Sequence, residues 1–112
     1  MRVKNKVVIV TGSGGGIGEG IALRLAQDGA RVVVNDIQAA AGERVAAAIR
    51  AAGGEAVFCA ADVTRDADMR ALVACAVQQF GRLDVMVNNA GWTHRNRSAL
   101  EVSEAEFDRC FA

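Results

Sequence analysis

The sequence predicts an α/β fold with a doubly wound parallel sheet, and three observations support this prediction. Short apolar runs alternate with helical repeats along the 112 residues, glycines follow the helical repeats, and the first apolar run is entirely β-branched. The chain is 52% hydrophobic, so it can bury a core. Its 13 basic and 13 acidic residues cancel, which argues against a nucleic acid partner or an anionic membrane surface.

Four apolar runs predict buried strands, and they lie at Val7–Val10, 32–34, 56–60 and Val85–Val87. Helical spacing of apolar residues predicts three helices between them, which end at Gly29, at 53–54 and at Gly81. The expected buried faces are Ile17, Ile21 and Leu25, then Ala41, Val45, Ala48, Ile49 and Ala52, then Met69, Leu72, Val73, Ala76, Val77 and Phe80. A capping box at 103–106 predicts a further helix. Strands joined by helices in this way form right-handed crossovers and a parallel sheet.

A glycine-rich loop occupies residues 11–18, between the first strand and the first helix, and reads Thr-Gly-Ser-Gly-Gly-Gly-Ile-Gly. Its spacing is GxxxGxG, formed by Gly12, Gly16 and Gly18. We expect Gly12 to allow the tight turn, Gly16 to let a pyrophosphate approach the backbone, and Gly18 to let the helix pack closely. The loop therefore predicts a Rossmann-type dinucleotide site at a helix N-terminus.

Asp36 follows the second strand, where a carboxylate can accept hydrogen bonds from the adenosine ribose hydroxyls. Its charge would repel a 2′-phosphate, and no Arg or Lys occurs at 12–18 or 35–42 to receive one. The predicted cofactor is therefore NAD, with NADP less favoured.

Two further motifs carry a family resemblance: Asp62-Val63 after the third strand, and Asn88-Asn89-Ala90-Gly91 after the fourth. Together with the glycine loop and Asp36, they resemble the short-chain dehydrogenase/reductase family along the whole chain. The resemblance implies that Asp62 and Val63 flank the adenine and that Asn88 lines the cleft. It also places Ala90 and Gly91 beside the nicotinamide-side ribose. The predicted cofactor-binding residues are Gly12, Ser13, Gly15, Gly16, Ile17, Gly18, Asp36, Ile37, Asp62, Val63, Asn88, Ala90 and Gly91.

The sequence departs from the family in one respect. Members carry a Ser and a Tyr-x-x-x-Lys motif in a second half, whereas this chain has no Tyr and no Lys beyond Lys6. We therefore expect residues 1–112 to be the N-terminal NAD(P)-binding part of a Rossmann domain, truncated before that segment. This part is predicted to contain no catalytic residue and to be inactive by itself.

The resemblance implies that the complete protein is an oxidoreductase acting on CH–OH groups, an alcohol dehydrogenase or a ketoreductase. A small carbonyl or alcohol compound would be the substrate, with 3-oxoacyl-carrier-protein reduction among the possibilities, and a homo-oligomer is expected. The sequence leaves two alternatives open. One is a dinucleotide-binding module without catalysis, and the other is a different Rossmann-like enzyme such as a methyltransferase.

The cysteines are Cys59, Cys75 and Cys110. Their odd number and wide spacing argue against a zinc site or a disulfide framework. We expect each to be a small buried hydrophobic residue in a reducing cytoplasm, with no metal bound. The apolar run near the N-terminus is four residues long, too short for a signal sequence or a membrane span. The one histidine, His94, lies in a polar segment with no pattern of a hydrolase triad.

Overall fold

A computed structural model describes residues 3–89 of the chain. Within them the elements alternate as β1 Val7–Val10, α1 Gly16–Gln27, β2 Arg31–Asp36, α2 Ala39–Ala51, β3 Glu55–Ala60, α3 Asp66–Phe80 and β4 Val85–Val87. This order confirms the predicted α/β fold. The helix predicted at 103–106 lies outside the described residues, as do Ala90, Gly91, His94 and Cys110.

The four described strands form one parallel sheet in the order β3-β2-β1-β4. Val10 of β1 is in register with Val34 of β2 on one side and with Val87 of β4 on the other. The chain therefore builds outward from β1 to β3 and then crosses back to place β4 on the opposite side of β1. In open α/β sheets, ligands bind at the carboxyl ends of the strands where the order reverses in this way.

Helices cover both faces of the sheet, which explains why β1 is apolar throughout. Val8 and Val10 belong to a core cluster that contains residues of α1 and α2. Val7 and Ile9 belong to a second cluster, which contains Leu72 of α3. Side chains alternate between the faces of a strand, so a strand covered on both sides needs an apolar residue at every position.

Glycines end the three helices as predicted. Gly81 follows α3 with φ +82°, in the left-handed region that a side chain disfavours. Gly29 and Gly53 also have positive φ and follow α1 and α2. The aspartates Asp66 and Asp68 lie in the first turn of α3, where the helix dipole favours negative charge.

The predicted face of α1 is wrong at one position. Ile17 is 73% exposed, and the buried residues of the helix are Gly18, Ala22 and Leu25. Both sets fit a helical stripe, and periodicity alone does not separate them. Gly18 lies so close to the preceding loop that a Cβ atom there would be 2.2 Å from the Gly12 carbonyl oxygen, and the buried stripe is the one that contains this glycine.

The other two helices also depart from prediction. In α2 the buried residues are Gly42, Val45, Ala46 and Ile49, whereas Ala48 and Ala52 are exposed. A Cβ atom at Gly42 would lie 2.0 Å from the ring of Phe58, so this glycine and its face are turned toward β3. In α3, Leu72 and Ala76 are buried as predicted, but Val77 is 46% exposed.

The expectation of unpaired cysteines is wrong for two of the three. Cys59 of β3 and Cys75 of α3 form a disulfide, although 16 positions separate them. Both residues are only partly buried. The packing of α3 on the sheet brings the two positions together, and sequence spacing does not reveal this contact. The disulfide also removes the argument for a reducing compartment that rested on the cysteines.

None of the helices within residues 3–89 combines the length and hydropathy needed to cross a bilayer. In the same part of the chain, no group of three or more His, Cys, Asp or Glu side chains is arranged to hold a metal ion.

Candidate functional site

The carboxyl ends of β1, β2 and β3 meet around one cleft of about 160 Å³. Its walls come from the glycine loop, the end of β2 with the residue that follows it, and the residues after β3. The lining residues are Gly12, Asn35, Asp36, Ile37, Ala61, Asp62, Val63 and Thr64. Five of the predicted site residues, which lie far apart in the sequence, are therefore brought together here: Gly12, Asp36, Ile37, Asp62 and Val63.

The glycine loop is compact because two of its glycines almost touch. Gly12 turns the chain away from β1 with φ +61°. A Cβ atom at Gly18 would lie 2.2 Å from the Gly12 carbonyl oxygen and 2.8 Å from Nδ2 of Asn89. Gly18 therefore packs against the loop and against the residues after β4, a tighter contact than packing on the sheet alone would require.

The other side of the loop is open. A Cβ atom at Gly15 or at Gly16 would meet no atom within 4 Å, and Gly16 has φ +58°. The exposed side chain of Ile17 follows at the start of α1. The first N–H groups of a helix have no partner within the helix and favour an anion. An open glycine backbone beside such a helix start fits a pyrophosphate.

Ser13 is turned into the protein. Its hydroxyl donates a hydrogen bond to the Val10 carbonyl (2.7 Å) and accepts one from the Asn35 N–H (3.0 Å). The side chain therefore ties the loop to β2. A contact between Ser13 and a cofactor stays a prediction.

Asp36 holds its carboxylate at the cleft through two backbone groups. Oδ2 accepts from the Gly14 N–H and Oδ1 from the Gln38 N–H, both at 3.0 Å. Each carboxylate oxygen can accept more than one hydrogen bond, so ribose hydroxyls can still be bound. Next to it, Ile37 is 68% exposed and offers an apolar surface at the rim.

Asp62 is oriented by the residue two positions later. Its Oδ1 accepts from the Thr64 hydroxyl (2.6 Å) and from the Thr64 N–H (3.0 Å). These bonds, the hydroxyl first, lower the pKa of the Asp62 carboxyl below its usual range. The Asp62 N–H in turn donates to Oδ2 of Asp68 at the start of α3 (2.9 Å). The carboxylate is thus ionised and fixed as an acceptor, while Val63 packs partly against the core.

The asparagines after β4 are tied to the end of β1. Thr11 Oγ1 lies 3.2 Å from Oδ1 of Asn88 and accepts a hydrogen bond from the Asn89 N–H at 2.7 Å. Asn89 Nδ2 also approaches the Gly12 carbonyl oxygen, at 3.4 Å. Asn88 therefore lies beside the glycine loop. The predicted contacts of Ala90 and Gly91 lie outside the described residues.

Sequence reasoning missed three residues that build the cleft. Asn35 is 1% exposed, and its Nδ2 donates to the carbonyls of Cys59 (3.0 Å) and Ala61 (3.3 Å), which joins β2 to β3. A polar residue inside an apolar strand was the signal for it. Thr11 and Gly14 were visible only as parts of the loop motif.

The sheet order, the glycine loop before α1 and the carboxylate at the end of β2 together define a nucleotide-binding α/β protein of the Rossmann type. A model of the family described as short chain dehydrogenase matches residues 6–112. The chain belongs to this family.

Curated relatives include a 4-formylbenzenesulfonate dehydrogenase of Comamonas testosteroni, 50% identical over 99% of this chain and 44% of the relative. A 7alpha-hydroxysteroid dehydrogenase of Escherichia coli is 43% identical over 81% of this chain and 36% of the relative. The chain spans less than half the length of these relatives.

Solved structures agree with the fold. A hydroxysteroid dehydrogenase from Escherichia coli superposes with a TM-score of 0.78 at 35% identity, covering 98% of this chain and 52% of that one. A short chain dehydrogenase/reductase from Burkholderia phymatum in complex with NAD has a TM-score of 0.74 at 31% identity. That comparison covers 77% of this chain and 31% of the other.

Proposed function

We propose that the chain is the cofactor-binding part of an NAD-dependent oxidoreductase that interconverts CH–OH and carbonyl groups in small molecules. The observation that supports the proposal most strongly is the cleft in which Gly12, Asp36 and Asp62 meet. A carboxylate held at the end of β2, next to an open glycine loop, suits a ribose and a pyrophosphate bound side by side.

Each part of the cleft has a proposed role. Backbone N–H groups from Gly15 to Ile17 hold the pyrophosphate, because nothing shields this side of the two glycines. Asp36 accepts the ribose hydroxyls. The exposed side chain of Ile37 and the neighbouring Val63 flank the adenine, and Asp62 accepts from its edge.

NAD is preferred over NADP in this proposal because of the Asp36 charge. A 2′-phosphate at the ribose would approach a carboxylate that its backbone partners hold in place. At about 4 Å and an effective dielectric constant near 20, like charges repel by about 4 kcal/mol before relaxation and screening.

Bound NAD would supply the hydride acceptor for an alcohol substrate, and the protein would contribute binding and orientation. The chain has no Tyr, and its lysines are Lys4 and Lys6. We therefore place the proton-transfer step of the complete protein outside residues 1–112. We also propose a homo-oligomer. The disulfide between Cys59 and Cys75 argues against the cytoplasmic location that the cysteine pattern predicted, because disulfides are uncommon there.

The test is a titration of the full-length protein with NADH and NADPH, followed by nicotinamide fluorescence. Turnover is then measured on secondary alcohols, hydroxysteroids and 3-oxoacyl thioesters. We expect NADH to bind more tightly and at least one alcohol class to be oxidised. Binding without turnover on any class would favour a non-catalytic module, and displacement by S-adenosylmethionine would favour a methyltransferase.

A further inference from the structure

An arginine of α2 binds the glycine loop from outside the cleft. Arg44 Nη2 donates to the Gly14 carbonyl (3.0 Å) and to Oε1 of Glu19 (3.1 Å), and Nη1 lies 3.3 Å from Oε2 of Glu19. The guanidinium therefore forms a two-pronged ion pair with α1 while it binds the loop. The pair joins positions 25 apart in the sequence, and no local motif predicts it.

Gly14 connects this arginine to the cofactor cleft. Its carbonyl accepts from Arg44, and its N–H donates to Oδ2 of Asp36 at 3.0 Å. One glycine thus separates a guanidinium from the carboxylate that we expect to bind the ribose. A Cβ atom at Gly14 would lie 2.8 Å from Asp36 Oδ2, so the connection is tight.

Glu19 balances the charge of this arginine. The hydrogen bond to the Glu19 side chain, and then the negative charge of Glu19, raise the pKa of Arg44 above its usual range. Arg44 is 59% exposed and Glu19 28% exposed, so solvent screens the pair and keeps its contribution to stability small. The more important effect of the ion pair is that it fixes the position of the Arg44 guanidinium and keeps it beside the negative charge of Glu19.

We infer that Glu19 is a specificity-determining residue for the cofactor: it holds Arg44 on the outer side of Gly14, so that Asp36 alone presents charge to the adenosine ribose. The inference rests on the proposed function. A guanidinium released from Glu19 has donors free for a 2′-phosphate and a flexible side chain with which to reach it. The ion pair therefore adds to the discrimination against NADP that Asp36 provides.

The test compares Glu19→Gln with the matched control Glu55→Gln in the full-length protein. Glu55 also forms an ion pair between two elements, with the partly buried Arg31 at 3.3 Å, but on the β2–β3 part of the sheet. Dissociation constants for NADH and NADPH are measured by nicotinamide fluorescence at fixed ionic strength. We expect Glu19→Gln to lower the ratio of the NADPH dissociation constant to the NADH dissociation constant by about tenfold. This is the size expected for one new hydrogen bond between the released arginine and a charged phosphate. The control should change the ratio by less than about twofold.

The double variant Glu19→Gln/Arg44→Gln separates the released arginine from the loss of one negative charge. We expect it to return the ratio close to that of the wild type. Glu19→Ala, which removes the acceptor completely, should shift the ratio at least as far as Glu19→Gln, and it replaces that variant if the latter does not fold by circular dichroism.

Two results would overturn the inference. One is an unchanged ratio in the folded single variants, and the other is an equal shift in the double variant. Either result leaves NADH binding by the wild type intact, and with it the proposed function. Failure of the wild type to bind either dinucleotide would instead refute both.

Discussion

A Cβ atom at Gly18 would lie 2.2 Å from the carbonyl oxygen of Gly12, so helix α1 begins in direct contact with the turn that precedes it. The obstructing atom belongs to the backbone and cannot rotate away. Any side chain at position 18 must therefore displace the loop that we expect to hold the pyrophosphate. Ala22 and Leu25, on the same side of the helix as Gly18, are buried.

Replacing Gly18 with Ala is expected to weaken NADH binding by more than tenfold and to destabilise the fold by about 1–3 kcal/mol, the usual cost of overpacking. Binding is measured by fluorescence titration and stability by urea unfolding. The matched control is Gly20→Ala in the same helix, where a Cβ atom meets nothing within 4 Å. Since Ala favours helix more than Gly, the control should stabilise by about 0.5–1 kcal/mol and bind NADH normally. Equal behaviour of the two variants would refute the steric account.

Replacing Asp36 with Asn should weaken NADH binding and reduce the preference for NADH over NADPH by at least about tenfold. The amide keeps the shape but removes the charge that repels a 2′-phosphate. Asp28→Asn is the control, because Asp28 pairs with Arg24 at the far end of α1. A preference for NADH that survives intact in Asp36→Asn would show that another residue reads the ribose.

Asp84 is expected to make the stability of the fold depend on acid pH. Its Oδ2 accepts from the Val7 N–H at 2.8 Å, and its Oδ1 is paired with Arg82, so it holds the start of β4 against β1. Burial is the largest single influence on the pKa of Asp84 and raises it. The Val7 and Arg82 hydrogen bonds, together with nearby positive charge, outweigh burial, and the net pKa is lowered.

Because the folded-state pKa of Asp84 lies below the unfolded value of about 3.9, its contribution is complete above that value. The contribution is lost as pH falls through the lowered folded-state pKa. Asp84→Asn should therefore cost about 1–3 kcal/mol near neutral pH and progressively less as the pH falls through the lowered folded-state pKa. Urea unfolding from pH 7 to pH 2 measures the difference between wild type and variant. A difference that stays constant over that range would contradict the assignment.

The disulfide between Cys59 and Cys75 is expected to stabilise the chain. It closes a loop across 16 positions, for which chain entropy gives a stabilisation of about 3 kcal/mol. Unfolding is compared with and without a reductant, and peptide mapping without reduction identifies the bond. Cys59→Ser/Cys75→Ser serves as the control, since its stability should not respond to reductant. Free thiols at both positions in the purified oxidised protein would contradict the pairing.

The local level of the structure was predictable from the sequence. Strands β1 and β4 were predicted with their observed bounds, because uninterrupted apolar runs between turns leave few alternatives. Glycine ends of helices were equally clear, since positive φ strongly favours this residue. Gly12 and Asp36 were predicted as site residues from the glycine loop and the strand pattern, and Asp62 from the family resemblance. All three line one cleft because the carboxyl ends of parallel strands meet at one edge.

The sequence by itself therefore determined the order of elements and the fold class, which follow from local pattern and parallel topology, and it pointed to five of the residues that line the cleft. Only the tertiary structure decided which stripe of each helix is buried, since Ile17 and Gly18 fit the same periodicity but only glycine fits against Gly12. It also decided the contacts of Cys59 with Cys75 and of Glu19 with Arg44. These contacts join residues on different elements. Which residues meet depends on how the helices pack on the sheet, and sequence spacing does not encode that packing.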